Sequence, residues 1–504
     1  MKKLLLKTAM VICAALLGFT LQAQNYEFVD LGLSVKWATC NLGATSPEAY
    51  GNYYAWGETE PKDEYTQENY KWSEIRADGT VRYIKYMTTF YVPENETAGF
   101  RGDYRSELDP EDDAVTAAMG LPYRMPRMVE CKELIDNCII ADTVINDLQC
   151  IKFTGPNGNY IVFPKSGFYW GSDFEEEDSE GYLWTTSLDF QGHVAGTEWQ
   201  ANALYMPYSE DCWSGDHERR FFGINVRAVC PNEPEAVDLG LSVKWASCNL
   251  GAGMPVDVGY YYAWGETTPK TYSTWENYKF GDEDNQSKYN NEDWNLQLDP
   301  EDDAATQTLG GKWRMPSRDD FDELLANCTI ERVKLSLNCR PTNALKVTGP
   351  NQNVIYLPMG GCMAGTNGSP NDVGGHTGFT DEDSYESGRY WVKDVTLWIG
   401  GGGVAHDGWF MSEDNAYSFT CASRYDMDLD EMTNECPPRY WQLNIRPVWD
   451  DTYSPVQHVT QTEDAIVDVY NLQGMLLRHG VNRTDATNGL PRGIYIVGGK
   501  KVVK

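Results

Sequence analysis

Two acidic stretches offer the most chemistry in this chain. GSDFEEEDSEGYLW (Gly171 to Trp184) carries six carboxylates, and GFTDEDSYESGRYW (Gly378 to Trp391) carries four. Hard cations gather carboxylate oxygens, so Asp173, Glu175 and Asp178 in the first, with Asp381 and Asp383 in the second, are candidate Ca²⁺ ligands. Neither stretch has EF-hand spacing, and the plainer reading is a solvated charged loop. Sugar faces stack on exposed aromatic rings, and this chain has 17 Trp and 31 Tyr. Most must be core, because aromatic side chains bury large areas. Trp184, Tyr205, Trp213, Trp391, Trp398 and Trp409 lie in or beside the Gly- and acid-rich portions and are the candidate ligand platforms.

Covalent chemistry finds no support. No G-x-S-x-G elbow occurs, and Ser34 in GLSVKW sits inside a strand pattern. HERRF at His217 is not H-E-x-x-H. WIGGGGVAHDGW lacks the Lys and following helix of a phosphate cradle. LDPEDDA, at Leu108 and again at Leu298, precedes a helix-like run and reads as N-terminal capping by acids.

These residues are positioned by a duplicated framework. VDLGLSVKWATCNLGA at Val29 returns as VDLGLSVKWASCNLGA at Val237, and GNYYAWGETEPK at Gly51 returns as GYYYAWGETTPK at Gly259. RMP, the ELIDNC/ELLANC pair and a TGPN turn before a strand follow in the same order in each copy. Each copy closes on a similar strand, FGINVRAV or WQLNIRPV. LSVKWAT alternates as a half-buried strand, with Trp37 and Trp245 as core residues, and pairing of first with last strand should close each copy. PSRDDFDELLANC reads as a helix capped by Ser317 and Asp320. Its counterpart has Arg127 at the cap and should start less firmly. The expected fold class is α+β: two tandem units with antiparallel sheets and one or two helices each, plus a small all-β sandwich at the C-terminus.

The boundaries are 1–23 for a signal peptide, 24–232 and 233–450 for the copies, and 456–504 for the tail. The first 23 residues combine a basic start, an apolar run and small residues near Ala23, the pattern of a cleaved export signal. No later run is long and apolar enough to suggest a membrane span. A formal charge of −34 repels phosphate backbones, which argues against nucleic acid as partner. Twelve cysteines follow the signal, six in each copy, which suits disulfides in an oxidising compartment. Only Cys40/Cys248 and Cys138/Cys328 occupy matching positions. A bridge older than the duplication would therefore join Cys40 to Cys138 and Cys248 to Cys328, among fifteen connectivities per copy.

WATCNLGA, YYAWGET-PK, LDPEDDA, KWRMPSRDDFDELLANC and the closing NIRPV together resemble the Fibrobacter succinogenes major paralogous domain, found on exported proteins of Bacteroidetes. The resemblance covers nearly all of both copies and implies C-type-lectin-like domains. Copy one departs from it at Tyr123 and Arg127. Neither acidic stretch carries the Glu-Pro-Asn triplet of sugar-binding lectins. The formylglycine-generating enzymes of the wider fold use a cysteine pair that has no shared counterpart in these two copies. AIVDVYNLQGMLLRHG and LPRGIYIVGGKKVVK resemble the C-terminal sorting domain of type IX secretion, which implies that machinery as a partner. The expectation is a secreted or outer-surface, non-catalytic recognition protein binding glycan or a surface protein, with no cofactor beyond Ca²⁺. The alternatives are a polysaccharide-active or protein-modifying enzyme, and a structural adhesin spacer.

Overall fold

In the computed structural model the described residues run from 26 to 503, with gaps, the longest at 92–99, 189–199, 364–386, 400–408, 423–432 and 455–465. The signal segment and the acidic residues Asp381 and Asp383 lie outside them. The chain divides into two compact units, Met1–Tyr453 and Ser454–Lys504, so both copies share the first. Among the described residues the fold is mostly antiparallel β-sheet with four short α-helices, and no helix among them is long and apolar enough to cross a membrane.

Each copy is closed by pairing its ends. In copy one, Val35–Asn41 lies between Phe28–Val29 and Arg227–Pro231, with Trp37 opposite both Val29 and Val229. In copy two, Lys244–Ala246 lies between Ala236–Val237 and Val448–Trp449, with Trp245 opposite Val448. A ten-residue helix, Met128–Asn137 or Arg318–Asn327, then leads into a three-stranded antiparallel hairpin sheet.

The repeated phrases are repeated because each supplies the same fastening. The Ser34 hydroxyl donates to Glu133 on the helix at 2.5 Å, and Ser242 does the same to Glu323. The carbonyl of Asp30 accepts from the side chains of Asn157 and Asn159, as that of Asp238 does from Asn351 and Asn353. Gly155 and Gly349 press against Leu31 and Leu239, where a Cβ would come within 2.2 Å of a carbonyl oxygen. The indole N–H of Trp56 donates to the Thr185 carbonyl, and Trp264 donates to Val392, both at 2.8 Å. Arg227 at the start of one closing strand and Arg446 just before the other are fully buried without a carboxylate. Arg227 donates to Asn41 Oδ1 and to the carbonyls of Ala38 and Val162, and Arg446 repeats this with Asn249, Ala246 and Tyr356. Neutral acceptors arrayed around a guanidinium satisfy its donors at the cost of leaving the charge unpaired.

Several departures between the copies meet at their mutual contact. The Arg127 guanidinium forms a buried ion pair with Asp257 of copy two, where copy one has Ala49. Gly253 replaces Thr45, and a Cβ there would meet Glu130 Oε1 at 2.8 Å and Val35 Cγ1 at 2.9 Å. Tyr260 replaces Asn52 and feels the charges of both Arg124 and Arg127. The helix after Arg127 is as long as its counterpart, but its start lacks the side-chain cap that Ser317 gives, as the sequence predicts. Glu130 accepts from the Arg127 backbone N–H at 2.9 Å, which supplies half of a capping box without any help from the Arg127 side chain.

The predicted disulfides are not formed: Cys40, Cys138, Cys248 and Cys328 are free thiols. Side-chain alternation explains the first pair. Cys40 lies on the strand face opposite Trp37, whereas Cys138 packs into the cluster containing Trp37. In copy two, Cys248 Sγ hydrogen-bonds the Ala252 carbonyl at 3.3 Å, and Cys328 packs against the cluster containing Trp245, which does not include Cys248.

The tail unit is an antiparallel sheet in the order Leu476–Asn482, Ile466–Tyr470, Ile494–Val497, Lys500–Val503. Val469, Ala486, Tyr495 and Val497 form its small core.

Candidate functional site

The first acidic stretch is a strand and turn of an aromatic hairpin. Ser166–Trp170 pairs with Asp173–Glu177, placing Trp170 opposite Asp173, Tyr169 opposite Phe174 and Phe168 opposite Glu175. Opposed residues share a face, so Trp170, Phe168, Asp173 and Glu175 line one side and Tyr169 and Phe174 the other. Gly171 makes the turn at φ +64°.

The free edge of the hairpin's first strand is strapped down at two points. Gly171 exchanges two backbone hydrogen bonds with Tyr65 at 2.8 Å, and Tyr169 exchanges two with Gly223 at 2.9 and 3.0 Å. Gly223 is required there, because a Cβ would stand 2.7 Å from the Tyr65 ring. On the inner side, Phe174 stacks on Tyr169 at 4.7 Å and meets Tyr53 edge-on at 5.7 Å. The Tyr53 hydroxyl donates to the Ser166 carbonyl at 2.6 Å, and burial pushes its pKa well above the usual phenol value. A platform so held loses little conformational freedom when a ligand arrives.

On the outer side Trp170 is 51% exposed. The Arg219 guanidinium lies 5.1 Å from its ring centre. A row of rings continues from it: Phe222 at 5.6 Å, then Phe168 at 5.1 Å, Tyr182 at 5.2 Å and Tyr205 at 5.1 Å. Asp173 and Glu175 are exposed along the same face. An open indole flanked by carboxylates and a guanidinium offers a stacking surface with acceptors and donors at its rim, the combination that grips the apolar face and equatorial hydroxyls of a sugar.

The predicted residues are dispersed by the structure. Trp184 and Trp391 are fully buried, their indole N–H groups donating to the carbonyls of Tyr54 and Tyr262 at 2.8 Å, so neither ring is open to a ligand. Tyr205 is half-buried at the far end of the ring row. Trp213 lies opposite Tyr205 in the sheet, and Trp398 and Trp409 lie in a long antiparallel pair of copy two; their side chains are outside the described residues. Of the proposed cation ligands, Asp173 and Glu175 share a face, but Asp178 accepts from the Gln149 N–H at 2.6 Å and belongs to the scaffold. Sequence reasoning missed Trp170 and Arg219. The signal was present, since FYW in copy one stands where copy two has CMA.

A second acidic group, Asp299, Glu301 and Asp302, gathers within LDPEDDA. Lys288 Nζ sits at its focus, 2.7, 2.9 and 2.5 Å from the three carboxylates, and Lys279 reaches Asp302 at 2.5 Å. Copy one repeats this with Lys85 at 2.7 Å from Asp109 and 2.5 Å from Asp112, and with Lys71 at 3.0 Å from Asp112. The motif therefore carries its own cation, and its last acid serves as helix cap: Asp113 accepts from the N–H groups of Val115 and Thr116, and Asp303 from that of Thr306. Comparison with known proteins returns no match: no family model, curated protein or solved structure is detectably similar to the chain.

Proposed function

We propose that this is an exported, non-catalytic recognition protein built from two C-type-lectin-like domains, which binds neutral carbohydrate on the copy-one hairpin. The observation that carries the reading is Trp170: a half-exposed indole on a strapped hairpin, with Arg219 against it and Asp173 and Glu175 beside it. The carboxylates around the ring oppose uronates and sulfated sugars, which leaves uncharged sugars as the favoured class. Copy two has Ala364 at the position of Trp170, so the two copies are not equivalent binders. The basic start and the GIY-containing tail support passage through an export signal and type IX sorting.

The test is affinity electrophoresis and calorimetric titration of the full chain against neutral and acidic polysaccharides. Binding to a neutral polymer is expected, with W170A weakening it at least about tenfold, the scale of one lost stacking contact. Failure to bind any neutral polymer, or binding unaffected by W170A, overturns the reading.

A further inference from the structure

The outer edge of the copy-one hairpin sheet differs from its duplicate in a way the carbohydrate site does not use. Ile139–Ile145 is the outermost strand of its sheet, and among the described residues no strand pairs with its free side. The turn after it, Asn146-Asp147, has both residues at positive φ, 49° and 65°, and closes on the pair Ile145–Leu148. A two-residue turn of that type makes Ile145 and Leu148 a hydrogen-bonded pair. Alternation then directs the backbone of Thr143, Ala141 and Ile139 inward and that of Ile140, Asp142 and Val144 outward. Ile139 is 74% and Val144 57% exposed.

Copy two protects the same edge. Its register, with Leu337 opposite Arg340, directs the backbone of Ile330, Arg332 and Lys334 outward, and Glu331, Arg332 and Lys334 are all exposed. Charged side chains, Lys above all, keep a sheet edge from accepting a foreign strand. Copy one has Ala141, Asp142 and Val144 in their places, and its one charge is already matched. Lys165 Nζ, on a buried side chain, lies 2.6 Å from Asp142 Oδ1.

We propose that Ile139–Ile145 pairs with the same strand of a second copy of this chain, antiparallel about a twofold axis at Asp142. That register makes hydrogen-bonded pairs of all the outward-facing residues, Ile140 with Val144 and Asp142 with itself, and sets Ile139 against Ile145. Each Asp142 brings its own Lys165, so the meeting of like charges becomes a meeting of two ion pairs. The same operation at the copy-two edge would set Arg332 against Arg332 and Ile330 against Lys334, where Met359 replaces the lysine; like charges directly opposed destabilise a sheet. Self-pairing is isologous, so it closes at a dimer.

Sedimentation of the full chain over a concentration series, at 50 and 500 mM salt, tests this. A reversible dimer is expected, and it should tighten with salt, because two chains of charge −34 repel while the edge itself presents no unmatched charge. Val144→Lys, which copies Lys334, should weaken the dimer at least about tenfold. Hydrogen exchange supplies a second readout, in which the Ile140, Asp142 and Val144 amides gain protection with concentration while those of Arg332 and Lys334 do not. A monomer at every concentration, a dimer indifferent to V144K, or concentration-independent exchange at these amides overturns the proposal.

Discussion

The two copies share the polar fastenings of their scaffold and part company on the faces they turn to different neighbours. Glu58 with Lys62, Tyr70 with the Trp56 carbonyl, Lys85 with the LDPEDDA acids and Arg227 with Asn41 all recur, partner for partner, as Glu266 with Lys270, Tyr278 with Trp264, Lys288 and Arg446 with Asn249. Beside core exchanges such as Cys131 for Phe321 and Phe153 for Val347, differences stand out at three surfaces: the contact between copies, the Trp170 hairpin and the outer hairpin edge. Identity within a duplication therefore reports buried, mutually satisfied groups.

The largest effect should come from breaking what both copies share. Trp56→Ala and Trp264→Ala each remove a fully buried indole and strand a carbonyl, at Thr185 or Val392. Each should cost about 3–5 kcal/mol. Because the two environments match, chemical denaturation should give losses that agree to within about 1 kcal/mol. A tryptophan that costs much less than its duplicate would show that the copies are not equally dependent on this fastening.

The contact between copies comes next. Arg127→Ser restores the copy-two residue at the cap, a gain of about 1 kcal/mol, but leaves Asp257 buried and unpaired, a loss of about 3–5 kcal/mol. A net loss of about 2–4 kcal/mol in the denaturation midpoint analysis is expected on those terms. Adding Asp257→Ala should recover much of it, and a double-mutant cycle without coupling would rule out the pair as the seam.

Acid should act on both copies through the same kind of group. Burial pushes Glu130 and Asp320 upward, but the charges and hydrogen bonds of Arg124 and Arg314 outweigh it, so both carboxyls lie below their ordinary range. A carboxylate depressed in the native state adds stability that is complete above its unfolded value, about 4, and is lost as pH falls through the native one. The share of the urea midpoint that these two carboxyls carry should be level from about pH 6 to 5 and fall below about 4, while burial raises Asp113 to about 6 and gives it the opposite slope between about pH 4 and 6. Glu130→Gln and Asp320→Asn should each flatten that fall.

Much of this scaffold was legible because a duplicated sequence reports its own constraints. The strand around Trp37 and Trp245, the Ser317 cap, the TGPN turn and the closing strand all follow from alternation, spacing and turn chemistry. Trp184 and Trp391 misled because an acidic flank suggests exposure, whereas the strand after the loop dives into the core. The disulfides misled because matching positions say nothing about which face of a strand a side chain takes. Trp170 was missed because its openness depends on long-range backbone bonds from Tyr65 and Gly223. Arg127 stood out as a departure, but its partner lies 130 residues away, beyond any local pattern.

The smallest effect isolates the difference in how two helices of equal length start. Ser317 Oγ accepts from the Asp320 N–H at 3.2 Å, and Asp320 accepts in return from the Ser317 N–H. In copy one only the return bond exists, from the Arg127 N–H to Glu130. Ser317→Ala should therefore cost about 1 kcal/mol, the usual worth of a cap side chain. It should also raise hydrogen exchange at the Asp320 amide, because that donor loses its acceptor at the helix start. The corresponding amide of copy one, Glu130, donates to the Arg127 carbonyl at 3.0 Å, so Arg127→Ala should leave its exchange unchanged even as the seam weakens. Equal exchange losses in the two variants would mean that the copies start these helices in the same way, and that Arg127 and Ser317 are interchangeable caps after all.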